Sequence, residues 1–253
     1  MLDASKYYKK KLDEEKLISG IKPLDELLEG FERGVFYMLY DSPQVTASIL
    51  KTLAVAAQLP VTHGGLNSKV VFVDAQNIFN PYSIGRKAVA LGLSATSVLE
   101  NIQISRAFIF PHLHEIITQN LEETAVINNA KLVLVSGIVP EPNLEMDDIK
   151  RMIEIMGVLN RLASVRKKVV VVSNYVALNS DYKPAGGKAC QHYPNVIVRI
   201  LTYEKLLKYR LIKHPSRPPK EVLYFLNEKK ERRISNTRKL DYYFNKEKKN
   251  KKK

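Results

Sequence analysis

Four short, almost unbroken apolar runs limit what this chain can become. They are VFYMLY (35–40), KVVFVD (69–74), KLVLVS (131–136) and KKVVVVSN (167–174). A strand with one wet face alternates apolar and polar residues, and these runs do not. Both of their faces must therefore be covered, as happens in parallel sheets flanked by helices. The stretches between them supply the helices. SILKTLAVAAQL comes after the first run, and NPYSIGRKAVALGL, opened by Pro81, after the second. NIQIS reads as a further short strand, and Pro111 starts a helix toward Val126. A long helix is predicted from about Leu144. Ile149, Met152, Ile153, Met156, Leu159 and Leu162 share one face of it, and Glu145, Asp147 and Asp148 crowd its first turn. Such alternation implies right-handed crossovers and an α/β fold with a mostly parallel central sheet. After Gly187 come NVIVRILTY, KLLKYRLIKH and EVLYFLN, three strands expected to extend that sheet antiparallel.

At 253 residues the chain suits one sizeable domain. No apolar run approaches the ~18–20 residues of a membrane span, and MLDASKYYKKKLDEEKL has no apolar stretch of the secretory kind. Cys190 is the single cysteine, so no internal disulfide forms; a small buried residue in a reducing compartment is the expectation. The net charge of +14 points to a polyanionic partner. Residues 228–253 hold 12 Lys/Arg against 4 Asp/Glu, a surplus of eight, and end in the low-complexity run NKEKKNKKK. This basic tail is expected to be disordered when free, as a solubilising appendage or a sequence-blind arm for nucleic acid.

Three smaller signals have bland readings. His112 and His114 lack a third ligand nearby and read as polar positions at a helix start rather than a metal pair. HPSRPPKE sits between two strands and reads as a turn. SVRKK (164–168) reads as a helix end, with cations on the carboxyl-terminal dipole.

The segment SGIKPLDELLEGFERGVFYMLY (19–40) resembles the start of the ATPase core in archaeal RadA and RecA recombinases. LAVAAQLP, GGLNSKVVFVDAQNIFNPYSI, KLVLV, VVVVSNYV and PAGGK come next in the family's order. The resemblance implies a RecA-like three-layer fold and divides the chain into a short arm (1–18), a core (19–227) and the basic tail (228–253). It also implies ATP at the carboxyl ends of the strands, and there the residues depart from the pattern. A phosphate loop needs G-x-x-x-x-G-K-[ST], whose glycines let backbone N–H groups close on phosphate, whose Lys reaches the β/γ oxygens and whose Ser/Thr holds Mg²⁺. This chain has DSPQVTAS, Asp41 to Ser48. Asp41 stands at the first glycine, Pro43 removes an N–H, and either Thr46 or Ala47 occupies the lysine position, depending on register. Lys51 lies one turn beyond. Ser136 matches the family's metal-holding Asp, Gln76 its water-orienting Glu, and Tyr175 a γ-phosphate sensor. From these positions ATP binding is expected to be weak or absent, with no catalytic residue, no metal and no cofactor.

The family's two DNA loops are also altered. The first, GIVPEPNLEMDD, is acidic and proline-stiffened; the second, YVALNSDYKPA, is short and flanked by Lys183 and Lys188. Contacts to DNA are expected from those two lysines and from tail residues Arg232, Arg233, Arg238 and Lys239. The neighbouring Tyr242, Tyr243 and Phe244 either stack on bases, pack on the domain or dock a partner. No aromatic-x-x-Ala insertion segment is found at Tyr7 or Tyr8. The resemblance thus implies a cytoplasmic, nucleoid-associated, non-catalytic RadA-like paralogue in recombination or repair. It would bind DNA, expected to be single-stranded and without sequence preference, and/or a RadA recombinase or a sister paralogue. The alternatives are an ATPase completed in trans and a scaffold that binds proteins only.

Overall fold

The apolar runs become the middle of one large sheet. The computed structural model describes residues 15–139, 146–178 and 180–226. A two-stranded ribbon opens the described chain, β1 (Lys16–Leu17) antiparallel to β2 (Phe31–Glu32), with helix α1 (Lys22–Leu28) between them. This ribbon draws Lys16 and Leu17 out of the predicted arm, and Leu17 is fully buried. The main sheet contains β3 (Phe36–Asp41), β4 (Val70–Asp74), β5 (Ile102–Arg106), β6 (Leu132–Ser136), β7 (Val169–Asn174), β8 (Val196–Thr202), β9 (Leu206–Lys213) and β10 (Glu221–Phe225). Their spatial order is β10-β9-β8-β3-β7-β6-β4-β5. Every pairing from β8 to β5 is parallel, and β9 and β10 run antiparallel. NVIVRILTY therefore differs from expectation. As β8 it lies parallel to β3, because a crossover through the second loop and a short helix precedes it. Only the two strands after it form the antiparallel extension.

Helices cover both faces of the sheet, as the strands' unbroken apolarity requires. On one face α1, α2 (Pro43–Ala56), α3 (Pro81–Ala90) and α4 (Ala95–Glu100) pack over Tyr37, Leu39, Phe72 and Leu134. On the other, α5 (Phe110–Glu115), α6 (Leu121–Ile127), α7 (Met146–Ser164) and α8 (Gly187–His192) pack over Phe36, Met38, Val133 and Val170. A π turn, Ile116–Asn120, joins α5 to α6 in place of the continuous helix predicted there. Each large apolar side chain so buried contributes about 1.5–3 kcal/mol relative to exposure. The inward stripe of α7 is Met152, Ile155, Met156, Leu159, Leu162 and Ala163. Ile149 and Ile153, expected on that face, are 42 % and 45 % exposed; the helix is rotated so that Ile155 and Ala163 take the buried edge. Residues 140–145, including Leu144 and Glu145, lie outside the described part, and they are half of the first altered loop.

Cys190 is fully buried on α8, and burial pushes its thiol up to about 12. The thiolate that reacts with disulfide reagents is thus scarce at pH 8. A thiol reagent at that pH is expected to leave the folded protein unmodified and to label it stoichiometrically in denaturant. Rapid labelling of the folded chain would show that α8 opens freely.

Candidate functional site: the carboxyl ends of the strands

Doubly wound sheets bind ligands at the carboxyl ends of their strands. Here those ends are Asp41 of β3, Asp74 of β4, Ser136 of β6 and Asn174 of β7. Where a phosphate loop would lie, the chain passes from strand to helix through a single residue. β3 ends at Asp41, and α2 begins at Pro43. The helix was expected from Ser48. Proline pre-sets the dihedral of a first turn, and no glycine is present to hold a loop open, so the stretch winds up instead. The Thr46 N–H donates to Ser42 O at 2.9 Å and its hydroxyl to Pro43 O at 3.1 Å, which turns both groups into the helix. Thr46 and Ala47 are buried, and Ser48 supplies its carbonyl to the Thr52 hydroxyl. Lys51 does not reach back; its Nζ donates to Ile78 O at 3.4 Å.

Asp41 keeps the backbone twist that a glycine would have, with φ +94°. For a residue with a Cβ that twist costs roughly 1–2 kcal/mol. Its carboxylate is not free. Arg199 of β8 donates through Nε to Asp41 Oδ2 at 2.7 Å, and through a second nitrogen to the Asp181 carbonyl. Ser42 is held likewise, its N–H on Ile200 O at 3.1 Å and its hydroxyl 2.7 Å from that of Thr202.

A second network closes the metal side. Asp74, 1 % exposed, accepts the Ser136 hydroxyl at 2.7 Å and the N–H groups of Ile78 and Phe79 at 3.0 and 2.8 Å. Ser136, fully buried, accepts in turn from the N–H groups of Ala75 and Gln76 at 3.1 and 3.2 Å. Gln76 Oε1 accepts from the Ser173 hydroxyl at 3.2 Å, and Ser173 Oγ accepts the Gly137 N–H at 2.9 Å. Gly137, at φ +64°, leaves room for this packing: a Cβ there would stand 2.3 Å from Gln76 Cγ. Three donors engage the one carboxylate in this network. Among the described residues no cluster of three or more His, Cys, Asp or Glu is arranged to hold a metal. This donor set does not fit a magnesium triphosphate: it has no ammonium at the phosphate position and no loop of N–H groups.

The second altered loop is folded down onto the same end of the sheet. Val176 bridges to Pro184, the Ala177 N–H donates to Lys183 O at 2.8 Å, and the Tyr40 hydroxyl donates to Tyr182 O at 2.7 Å. Burial raises the Tyr40 hydroxyl to about 12, which keeps it a donor at neutral pH. Tyr175 sits at the loop's start, half-buried, its N–H on the Asn174 side chain. Lys183 and Lys188 flank the loop and are exposed. Lys183 lies 5.7 Å above the Tyr182 ring, at the rim of an open pocket of about 370 Å³ floored by Tyr40, Ile197 and Ile212. Arg232, Arg233, Arg238 and Lys239 lie outside the described residues. His114 bonds Glu154 at 2.5 Å across two helices. HPSRPPKE does form the connection between β9 and β10.

Sequence reading missed Arg199, Asp74 and Ser173. An arginine inside the apolar run NVIVRILTY was the available signal, since a half-buried guanidinium in a strand needs an anion. Nothing in the sequence marks that anion as Asp41.

A parallel sheet in this order, covered on both faces and extended by an antiparallel pair, is a RecA-like α/β domain. Residues 13–229 match the Rad51 family, and the chain belongs to it. It is 28 % identical over 225 residues to the DNA repair and recombination protein RadA of Metallosphaera sedula, an alignment covering 83 % of this chain and 69 % of that protein. The resemblance read from the sequence is borne out.

The buried polar network gives a direct test. Ser136→Ala removes one donor from Asp74 and the hydroxyl acceptor of the Ala75 and Gln76 N–H groups, of which Ala75 keeps the Ser136 carbonyl at 3.3 Å. Leaving buried polar groups unpaired costs about 1–3 kcal/mol. Urea unfolding is expected to show a loss in that range with an unchanged m-value, while a neutral result would mean water or backbone replaces the hydroxyl.

Proposed function

We propose that this chain is a non-catalytic, RadA-like paralogue acting in DNA recombination or repair. It binds single-stranded DNA without sequence preference, together with a RadA recombinase or a sister paralogue, and modulates filament assembly without hydrolysing ATP. One observation carries the reading: a single-residue joint, with Asp41 held by Arg199, stands where a phosphate loop is needed. Losing one charge-stabilising group costs on the order of 3 kcal/mol of transition-state stabilisation. Lys, metal-holding Asp and water-orienting Glu are replaced together here. Support for nucleic acid comes from the net charge of +14, the eight-charge surplus in residues 228–253 and the exposed Lys183 and Lys188. The relative's name, a DNA repair and recombination protein, points the same way. No helix among the described residues is long and apolar enough to cross a membrane; we place the protein in the cytoplasm, with the nucleoid.

Two measurements test this reading. The purified chain alone is expected to release no phosphate, and the absence of a rise above a RadA recombinase's own rate in a mixture would exclude a site completed in trans. Electrophoretic shifts of single-stranded DNA are expected for the full chain, and weaker shifts for a chain ending at Asn227. Equal binding by both would remove the tail from the mechanism, and binding by neither would leave a protein-only scaffold.

A further inference from the structure

The opposite end of the sheet carries a row of cations that the strand-end site does not use. Four adjacent strands, in the order β3-β7-β6-β4, are each preceded by one: Arg33, Lys168, Lys131 and Lys69. Backbone hydrogen bonds set them side by side. The Gly34 N–H donates to Lys168 O at 3.0 Å, the Val169 N–H to Lys131 O at 2.8 Å, and the Lys131 N–H to the Ser68 hydroxyl at 2.7 Å. Neighbouring strands lie about 4.8 Å apart, so the row spans roughly three such spacings. Lys167 joins it, its backbone carbonyl accepting from Arg33 Nε at 3.1 Å.

Counter-charge is scarce among the described residues. Glu15 bridges Arg33 and Lys131, at 3.4 and 2.8 Å. Lys69, Lys167 and Lys168 have no carboxylate in ion-pair range among the described residues. Lys168 is the telling member. It is only 9 % exposed, and its side chain makes no hydrogen bond or ion pair with a described residue. Burial, and then the charges of Arg33, Arg166 and Lys131, hold its ammonium below the ordinary lysine range. A cation placed among cations is a favourable position for an external anion.

The helix end nearby does not account for the row. Two carbonyls of the last turn of α7 are taken by backbone: Arg161 O accepts from the Val165 and Arg166 N–H groups, and Leu162 O from the Lys168 N–H. Arg166 is committed to Glu122 at 2.7 Å. Arg33, Lys131 and Lys69 come from three other connections and complete no helix.

We infer that this row, Arg33–Lys168–Lys131–Lys69 with Lys167, is a second binding site for the phosphate backbone of single-stranded nucleic acid. It rests on the nucleic-acid reading above but occupies the end of the sheet opposite Lys183 and Lys188. Closely spaced ammonium and guanidinium groups, with one carboxylate among them in the described residues, match a polyanion rather than a single small anion. Base contacts are not required, so the site reads charge and not sequence.

Lysine acylation of the full chain, read by mass spectrometry with and without an oligothymidylate, tests it. Protection of Lys69, Lys131 and Lys167 is the expected result. Lys167→Asn and Lys69→Gln change side chains outside the core and are expected to leave urea stability intact. Each should lower the slope of log Kobs against log salt by about 0.7 per lost phosphate contact. Protection confined to Lys183, Lys188 and the tail lysines, with unchanged slopes, overturns the second site and leaves the nucleic-acid reading standing. Protection at no lysine overturns both.

Discussion

The contact between Asp41 and Arg199 organises the end of the sheet where a family member would hold its nucleotide. An aspartate at φ +94° is a costly choice for a strand terminus. It persists because its carboxylate finishes a guanidinium that would otherwise lie unpaired on β8, only 12 % of that side chain being exposed. Leaving one partner of such a pair without the other is strongly unfavourable. The same guanidinium reaches the Asp181 carbonyl, so a single side chain fixes the end of β3, the strand beside it and the second altered loop.

That contact changes the kind of site the strand ends can form. A phosphate loop works because its N–H groups and its ammonium point into empty space where anionic oxygens will be. In this chain the corresponding groups point inward. The Thr46 N–H closes a helical turn, Lys51 caps Ile78, and the hydroxyl of Ser136 faces a carboxylate. Polar groups that satisfy each other gain no further bonds from a ligand. The stretch that matches the phosphate loop is a first helical turn beside the Asp41–Arg199 pair.

Much of this was legible in the sequence, because unbroken apolar runs admit few environments. VVFVD and LVLVS had to be strands covered on both sides, and they are. The replacements at Asp41, Pro43, Gln76 and Ser136 were equally visible, since the chemistry they displace depends on residue type alone. What the sequence hid was tertiary pairing. The start of α2 at Pro43 rather than Ser48 depends on Ser42 being anchored to Ile200 and Thr202, both more than 150 positions away in the chain. The parallel course of β8 depends on the crossover that brings it beside β3, which period-two alternation does not encode. Ile149 and Ile153 fit the helical spacing of α7 yet stand exposed, because spacing defines a stripe without fixing which edge of it faces the sheet.

The central claim is that Asp41, Ser42 and the first turn of α2 form a closed joint instead of a phosphate cradle. Titrating magnesium ATP into isotopically labelled protein, and tracking the backbone amides of Asp41, Ser42, Gln44 and Val45, tests it most directly. The expected result is no saturable shift at these amides, corresponding to a Kd weaker than about 1 mM. Saturable shifts at these amides in the micromolar range, with release of the Arg199 guanidinium, would contradict it.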